Sequence, residues 1–269
     1  MNDEIKFILK SNKIPLLKSV INSLVKIEKK FKFRFEDDKL LIYCSEKVGN
    51  QTVALKIYYF MIEDFFNLLL EDDDLEDEFT AEDEKEDDKF MLNFNIGDGK
   101  ILNKKLNFFT EEKHIKGIFK TRPIDGEDYV RKVNMTDSRF KMSLTGIEKG
   151  EISDVSVETM NSLTNTNNAD FKLEIPVSTF EEAKKVSAID KEDVITLEVR
   201  GGGIYFKQAE WELKVGQTDV KENRKFSFKK NYLKSVNTTT DIVEVFAFET
   251  YLLFKNENEF FILSYEKTY

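Results

Sequence analysis

The chain has 269 residues, 41% of them hydrophobic with 24 Phe, and a formal net charge of −10 from 51 acidic and 41 basic side chains. That length suits two packed domains of about 130 residues each, and no run approaches the ~20 apolar residues of a membrane span. One cysteine, Cys44, excludes an internal disulfide, and one histidine, His114, excludes a histidine-based catalytic triad or a histidine-rich metal site.

Residues 5–9 alternate apolar and polar and predict a strand. Residues 14–28 then place Ile14, Leu17, Ile21, Leu24 and Val25 on one stripe at helical spacing, with Pro15 in the first turn, where its missing N–H costs nothing. The other face carries Ser19, Asn22, Ser23, Lys26 and Lys30, with Lys18 and Lys29 at its rim. Phe31, Phe33 and Phe35 alternate with charged residues, and 40–44 returns as the hairpin partner across Asp37-Asp38-Lys39. Cys44 sits in that apolar run, which suits a buried structural thiol. Residues 53–59 predict a third strand and 61–70 a helix with Ile62, Phe65, Phe66, Leu69 and Leu70 inward.

The acidity is local. Residues 71–88 hold thirteen acids and one Lys, so the rest of the chain carries 40 basic and 38 acidic side chains. Such a run reads as a solvated, self-repelling loop, spanning 71–89, and lacks the glycine and ligand spacing of a calcium loop. Beyond it, 90–96 and 101–109 flank Gly97-Asp98-Gly99 and predict a hairpin. The signal weakens over 111–170, where 115–120 and 139–144 suit strands. Residues 148–170, rich in Ser, Thr, Asn and Glu, read as a linker with room for a short helix over 155–163.

From Phe171 the order repeats. A strand (171–175) leads to a helix with a capping-box pattern, Ser178-Thr179 before Glu181-Glu182. A hairpin follows across Gly201-Gly202-Gly203, then a strand (210–215), a strand running into a helix near 229–236, and three closing strands. Corresponding features are offset by roughly 160–170 residues, a duplication of pattern rather than identity. Residues 61–70 answer 229–236 in this scheme. Arg200-Gly201-Gly202-Gly203 lacks the Lys-Ser/Thr ending of a phosphate loop and precedes a strand, so a hairpin turn is the expectation.

The opening strand and helix (5–28), the hairpin 31–44, the stretch 179–206 with its glycine turn, and Phe226-Ser227-Phe228-Lys229-Lys230-Asn231-Tyr232-Leu233-Lys234 together resemble the sliding clamps of the proliferating-cell-nuclear-antigen family, and more loosely those of large DNA phages. The resemblance covers most of 1–110 and 171–269 and implies an α+β fold of two tandem DNA-clamp domains, antiparallel sheets outside and two short helices inside each. The domains are then 1–147 and 171–269, joined by 148–170. It also implies a homotrimeric ring around duplex DNA, no catalytic residues, no cofactor or metal, and a front-face pocket for polymerase and clamp-loader peptides.

The helix faces suit that reading, since lysines on them would meet phosphates without reading sequence. The DNA-facing set is Lys18, Lys26, Lys29, Lys30, Lys184, Lys185, Lys230 and Lys234, whereas 61–70 offers Glu63, Asp64 and Asn67 instead. Ring closure needs open strand edges. The expected subunit contacts are Trp211, Leu213 and Val215 on one edge and Phe140 and Met142 on the other. Two alternatives stand beside the ring: a monomeric viral polymerase accessory factor of the same fold, and an acidic β-rich interaction protein that does not touch DNA. The N-terminus lacks a signal-peptide core, which points to the cytoplasm. Few prolines and abundant Lys, Asn, Phe and Ile suit an AT-rich source such as a phage, and then the cytoplasm of its host.

Overall fold

The computed structural model of the chain describes residues 4–49, 51–69, 90–109, 114–236 and 240–265. The acidic run 71–89 lies outside them. The chain is α+β, and its contacts fall into two compact units that are not contiguous in sequence: Met1–Asn22, Lys29–Ile42 and Tyr59–Ile152 form one, and Ser23–Glu28, Tyr43–Tyr58 and Ser153–Tyr269 the other. Among the described residues no helix is long and apolar enough to cross a membrane.

In the first unit, β1 (Glu4–Leu9) leads through a 3-10 turn into α1 (Ile14–Leu24), which buries Ile14, Leu17, Val20, Ile21 and Leu24. There follow β2 (Phe31–Glu36), a turn with Asp37 at φ 53°, β3 (Lys39–Val48), β4 (Gln51–Met61), α2 (Ile62–Phe65) and β5 (Phe66–Leu69). Then come β6 (Met91–Ile96), α3 (Gly99–Leu106), β7 (Ile115–Ile124), β8 (Glu127–Thr136) and β9 (Lys141–Thr145). Strands β3 and β4 lend residues to both units. Within this unit the strand order is β3-β2-β6-β8-β7-β1-β5, with β9 on β8.

One face of this sheet packs Phe7, Phe33, Phe35, Phe66, Phe94 and Phe119 against Leu17 of α1 and Leu102 and Leu106 of α3. Each such phenylalanine contributes about 1.5–3 kcal/mol by leaving water. The Phe7 ring stacks on Phe119 at 4.2 Å and fills the space over Gly117, where a β-carbon would lie 2.0–2.5 Å from ring atoms. Only glycine fits there.

Three stretches depart from the sequence pattern. Residues 99–106 form a helix, not the second arm of a hairpin. Asp98 accepts hydrogen bonds from Lys100 N (2.9 Å) and Ile101 N (3.2 Å), an N-cap, and Leu102, Leu106 and Phe109 lie buried at helical spacing. The helix expected over 61–70 is a single turn, after which β5 pairs antiparallel with β1. Strand β8 carries no clean alternation because its register against β7 shifts at Lys120/Thr121, leaving Arg131 as the extra residue and placing buried Tyr129 and Val130 side by side. In chain order α3 therefore answers the later short helix α6 (Lys230–Leu233), each standing just before three closing strands.

The second unit adds α4 (Val157–Thr164), β10 (Phe171–Pro176), α5 (Val177–Ile189), β11 (Val194–Arg200), β12 (Gly203–Lys207), β13 (Glu212–Gln217), β14 (Arg224–Lys229), α6, β15 (Ile242–Ala247), β16 (Tyr251–Lys255) and β17 (Glu259–Ser264). One sheet runs β10-β15-β16-β17-β4-β3 and a second β13-β12-β11-β14. The β11–β12 turn uses Gly201 and Gly202 at φ 55° and 77°, which a tight hairpin requires. The capping box expected at Ser178-Thr179 is absent: α5 starts at Val177, and the Thr179 hydroxyl donates to Pro176 O at 2.9 Å.

An ion pair is sealed in this unit. Lys56, fully buried on β4, donates to Glu259 Oε1 (2.8 Å), Ser23 Oγ (2.5 Å) and the Ser235 carbonyl, which accounts for all three of its N–H donors. Tyr58 donates to the other Glu259 oxygen at 2.8 Å. Burial pulls the Lys56 ammonium below the usual lysine range while Glu259 pulls it back. Burial also pushes the Cys44 thiol up to about 12, so it is inert at neutral pH.

Two outcomes follow from these contacts. Lys56→Met strands a buried carboxylate and should cost about 3–5 kcal/mol in calorimetry, whereas Lys56→Met with Glu259→Met should recover most of that. Asp98→Ala should weaken α3 by about 1 kcal/mol, read as faster amide exchange over 100–106 with exchange in the second unit unchanged.

Candidate nucleic-acid interface

Neither α1 nor α3 contains an acidic residue, in a chain with 51 of them. The two helices are joined in the first unit by a hydrogen bond from Asn103 Nδ2 to Asn22 Oδ1. Lys18 lies one turn before Asn22 on α1, and Lys100 one turn before the Asn103–Lys104 pair on α3. Lys100 and Lys104 are exposed and Lys18 is half-exposed, so the joined helices present cations on both sides of the amide bridge. Exposed Lys29 lies beside the start of α3, its carbonyl accepting from Gly99 N at 3.0 Å. Lys30 pairs with Glu151 at 3.1 Å, and Lys105 turns aside to donate to Ser143 O at 2.6 Å.

Lys100 and Lys104 fall in the stretch whose pattern suggests a hairpin. Their signal is present nonetheless: Asp98 as a cap, then Leu102, Leu106 and Phe109 at steps of four and three. It competes with two glycines around Asp98 that read as a turn.

In the second unit three ammonium groups meet three successive carbonyls at the end of α6. Lys26 donates to Lys234 O (3.1 Å), Lys56 to Ser235 O, and Lys184 to Val236 O (2.8 Å). The first of these carbonyls belongs to the C-cap of α6, where cations are favoured, and the other two lie just past it. Lys184 also pairs with Glu181 at 2.6 Å, and burial draws its ammonium below the usual range. Exposed Lys26 and Lys185 and half-buried Lys234 present cations to solvent from this cluster.

Lys230 does not. It is only 9% exposed and its ammonium donates to Asp190 O at 2.6 Å, a structural contact inside the second unit. A four-residue helix gives periodicity too little length to tell its inner from its outer side. Unlike Lys230, the other sequence-chosen lysines keep at least partial access to solvent.

Among the described residues β5, β9, β10, β13 and β14 each pair on one side only. Strand β13 pairs only with β12, and β9 only with β8. Val215 and Met142 turn inward on these strands, 2% and 4% exposed, so they can offer a neighbour only backbone. Trp211, held by its indole N–H to Gln208 Oε1 (3.2 Å), and Leu213 are half-buried. Half-buried Phe140 stacks on exposed Phe108 at 4.9 Å.

A recess of about 400 Å³ in the second unit has Phe228, Tyr232 and Tyr265 in its wall and Val48 and Val194 at its rim. Glu46 holds it in shape, accepting from Tyr232 Oη (2.8 Å) and pairing with Lys229 (2.9 Å).

No family model matches the chain, and no curated protein sequence matches it. Solved structures do. The proliferating cell nuclear antigen (PCNA) of Entamoeba histolytica superposes with a TM-score of 0.61 at 17% identity, covering 98% of this chain and 99% of that one. PCNA of A. fulgidus, solved with the C-terminal region of FEN-1 bound, gives 0.59 at 13% identity over 98% and 99%. PCNA of Thermococcus kodakaraensis gives 0.60 at 13% over 97% and 100%. Strand and helix order and near-complete superposition agree: the chain has the fold of the PCNA sliding clamps.

Proposed function

We propose that the chain is a DNA sliding clamp, a non-catalytic processivity factor that closes into a ring of three copies around duplex DNA and tethers a replicative polymerase. The observation that carries this reading is the absence of acids on α1 and α3 together with exposed Lys100 and Lys104, in a fold shared with clamps. Lysines there act as exchangeable point charges on phosphates, which suits sliding. The open edges of β9 and β13 suit a head-to-tail contact in which one chain's strand extends the next chain's sheet. A loader opens such a ring. The recess beside Tyr232 and Tyr265 takes the apolar side chains of polymerase and loader segments, and the A. fulgidus clamp is a precedent for a bound partner segment, the C-terminal region of FEN-1. The acidic run 71–88 discourages contact between DNA and the outside of the protein by like-charge repulsion.

Light scattering at tens of micromolar tests assembly and should return three chains. Binding to short linear duplex should be weak, and Lys100→Ala with Lys104→Ala should reduce the slope of log affinity on log salt by about 0.9 for each phosphate that is no longer neutralised. On loader-assembled nicked circles retention should survive high salt, and cutting the circle should release the protein. Equal salt sensitivity on circular and linear DNA would favour the monomeric accessory factor. Lys230→Ala should lower the melting temperature without changing the salt slope.

A further inference from the structure

The sheet of the first unit has a second face, turned away from α1 and α3. Register fixes what stands on it. One row across the strands reads Leu69, Lys6, Ile118, Asn134, Ser143, and the next reads Asn67, Ile8, Lys116, Thr136, Lys141. A third row runs Glu4, Lys120, Lys132, Thr145, with Glu4 paired to Lys120 at 2.5 Å. These three rows carry five lysines and one glutamate, in a protein of net charge −10. A groove of about 530 Å³ crosses the first two rows from β5 to β9, with Leu69 (49% exposed), Ile8 and Ile118 as its apolar floor and Lys6, Lys116 and Lys141 around it.

We propose that this groove is a docking surface for an acidic segment of a partner protein that carries aliphatic anchors. Charge complementarity selects an acidic occupant. The apolar floor selects a peptide over a nucleic-acid backbone, which would gain nothing from Leu69, Ile8 and Ile118. Five strands at ~4.8 Å spacing make a path of about 19 Å, the reach of roughly six extended residues. A six-residue segment alternating acids with Leu or Ile would set its anchors on the floor and its carboxylates beside the lysines. The chain's own run 71–88, with thirteen acids and only Leu75, Phe79 and Ala81 apolar, overshoots the charge of this face. The proposal is independent of the DNA-facing helices, and only the Lys141 end of the groove reaches β9, the edge proposed to join subunits.

The test is fluorescence anisotropy of the labelled peptide Gly-Ser-Glu-Leu-Asp-Ile-Glu-Leu-Ser-Gly titrated with the full chain at low salt. Saturable binding is expected, at least tenfold weaker for the same peptide with Ser at its three aliphatic positions. Lys116→Glu with Lys141→Glu, and separately Ile118→Ser, should each weaken it at least tenfold, with circular dichroism and melting temperature unchanged. Four results would overturn the proposal: no saturable binding up to millimolar chain; equal binding of the serine peptide, which is charge alone; displacement of the peptide by a 20-base-pair duplex, which makes the face a nucleic-acid contact; or a tenfold gain in affinity when 71–88 is deleted, which makes that run the occupant.

Discussion

A lysine ammonium without water has to find a partner for each of its three N–H bonds, and Lys56 finds them on three separate segments. Glu259 is on β17, Ser23 at the end of α1, and Ser235 just past α6. Once Lys56 is charged and buried, these segments have to converge on it, and the neighbouring Lys26 and Lys184 fall against the adjoining carbonyls of 234 and 236. The end of α6 is thus defined less by its own four residues than by the cations gathered around it. That explains how so short a helix, too short to hold itself by propensity, keeps a fixed place in the second unit.

The same chemistry sorts the lysines. A buried cation spent on a carbonyl of its own unit is structural whatever its position on a helical wheel, and Lys230 is of this kind. A cation on a helix free of acids is available to an outside anion, and Lys100 and Lys104 are of this kind. The distinction follows from where each ammonium finds its hydrogen-bond acceptors within its unit, and net charge conceals it, since thirteen of the acids sit in a single run.

Much of the fold is legible in the sequence where periodicity is long and unbroken. The α1 stripe as far as Leu24, the Phe31/Phe33/Phe35 alternation and the glycine hairpin each obey one rule, and each is found in the structure, although the helix stops short of the expected 28 with Val25 in a turn. The misreadings occur where two local rules compete. At 97–99 two glycines speak for a turn and Asp98 for a helix cap; packing of Leu102 and Leu106 against the phenylalanine cluster decides for the helix. At 61–70 the apolar residues fit helical spacing, and pairing with β1 decides for a strand after one turn. In β8 a bulge breaks the alternation. Of the site, Lys18 on α1 and Lys26, Lys29 and Lys30 just past it can be read directly, whereas Lys100 and Lys104 are hidden by the turn signal at the start of their helix. The sequence suggests two domains with the break inside 148–170, but not that 23–28 and 43–58 belong with 153–269, because pattern along a chain does not report pairing across it.

That pairing bears on how the protein is made. Residues 54–58 of β4 bond to 259–263 of β17, about two hundred positions later. At a synthesis rate of ~5–20 residues per second, the ribosome needs roughly 10–40 s to deliver the partner strand. Until then that side of β4 is an uncovered strand edge on a nascent chain, exposed to pairing with the wrong neighbour. The second unit is completed only when Glu259 arrives to neutralise Lys56.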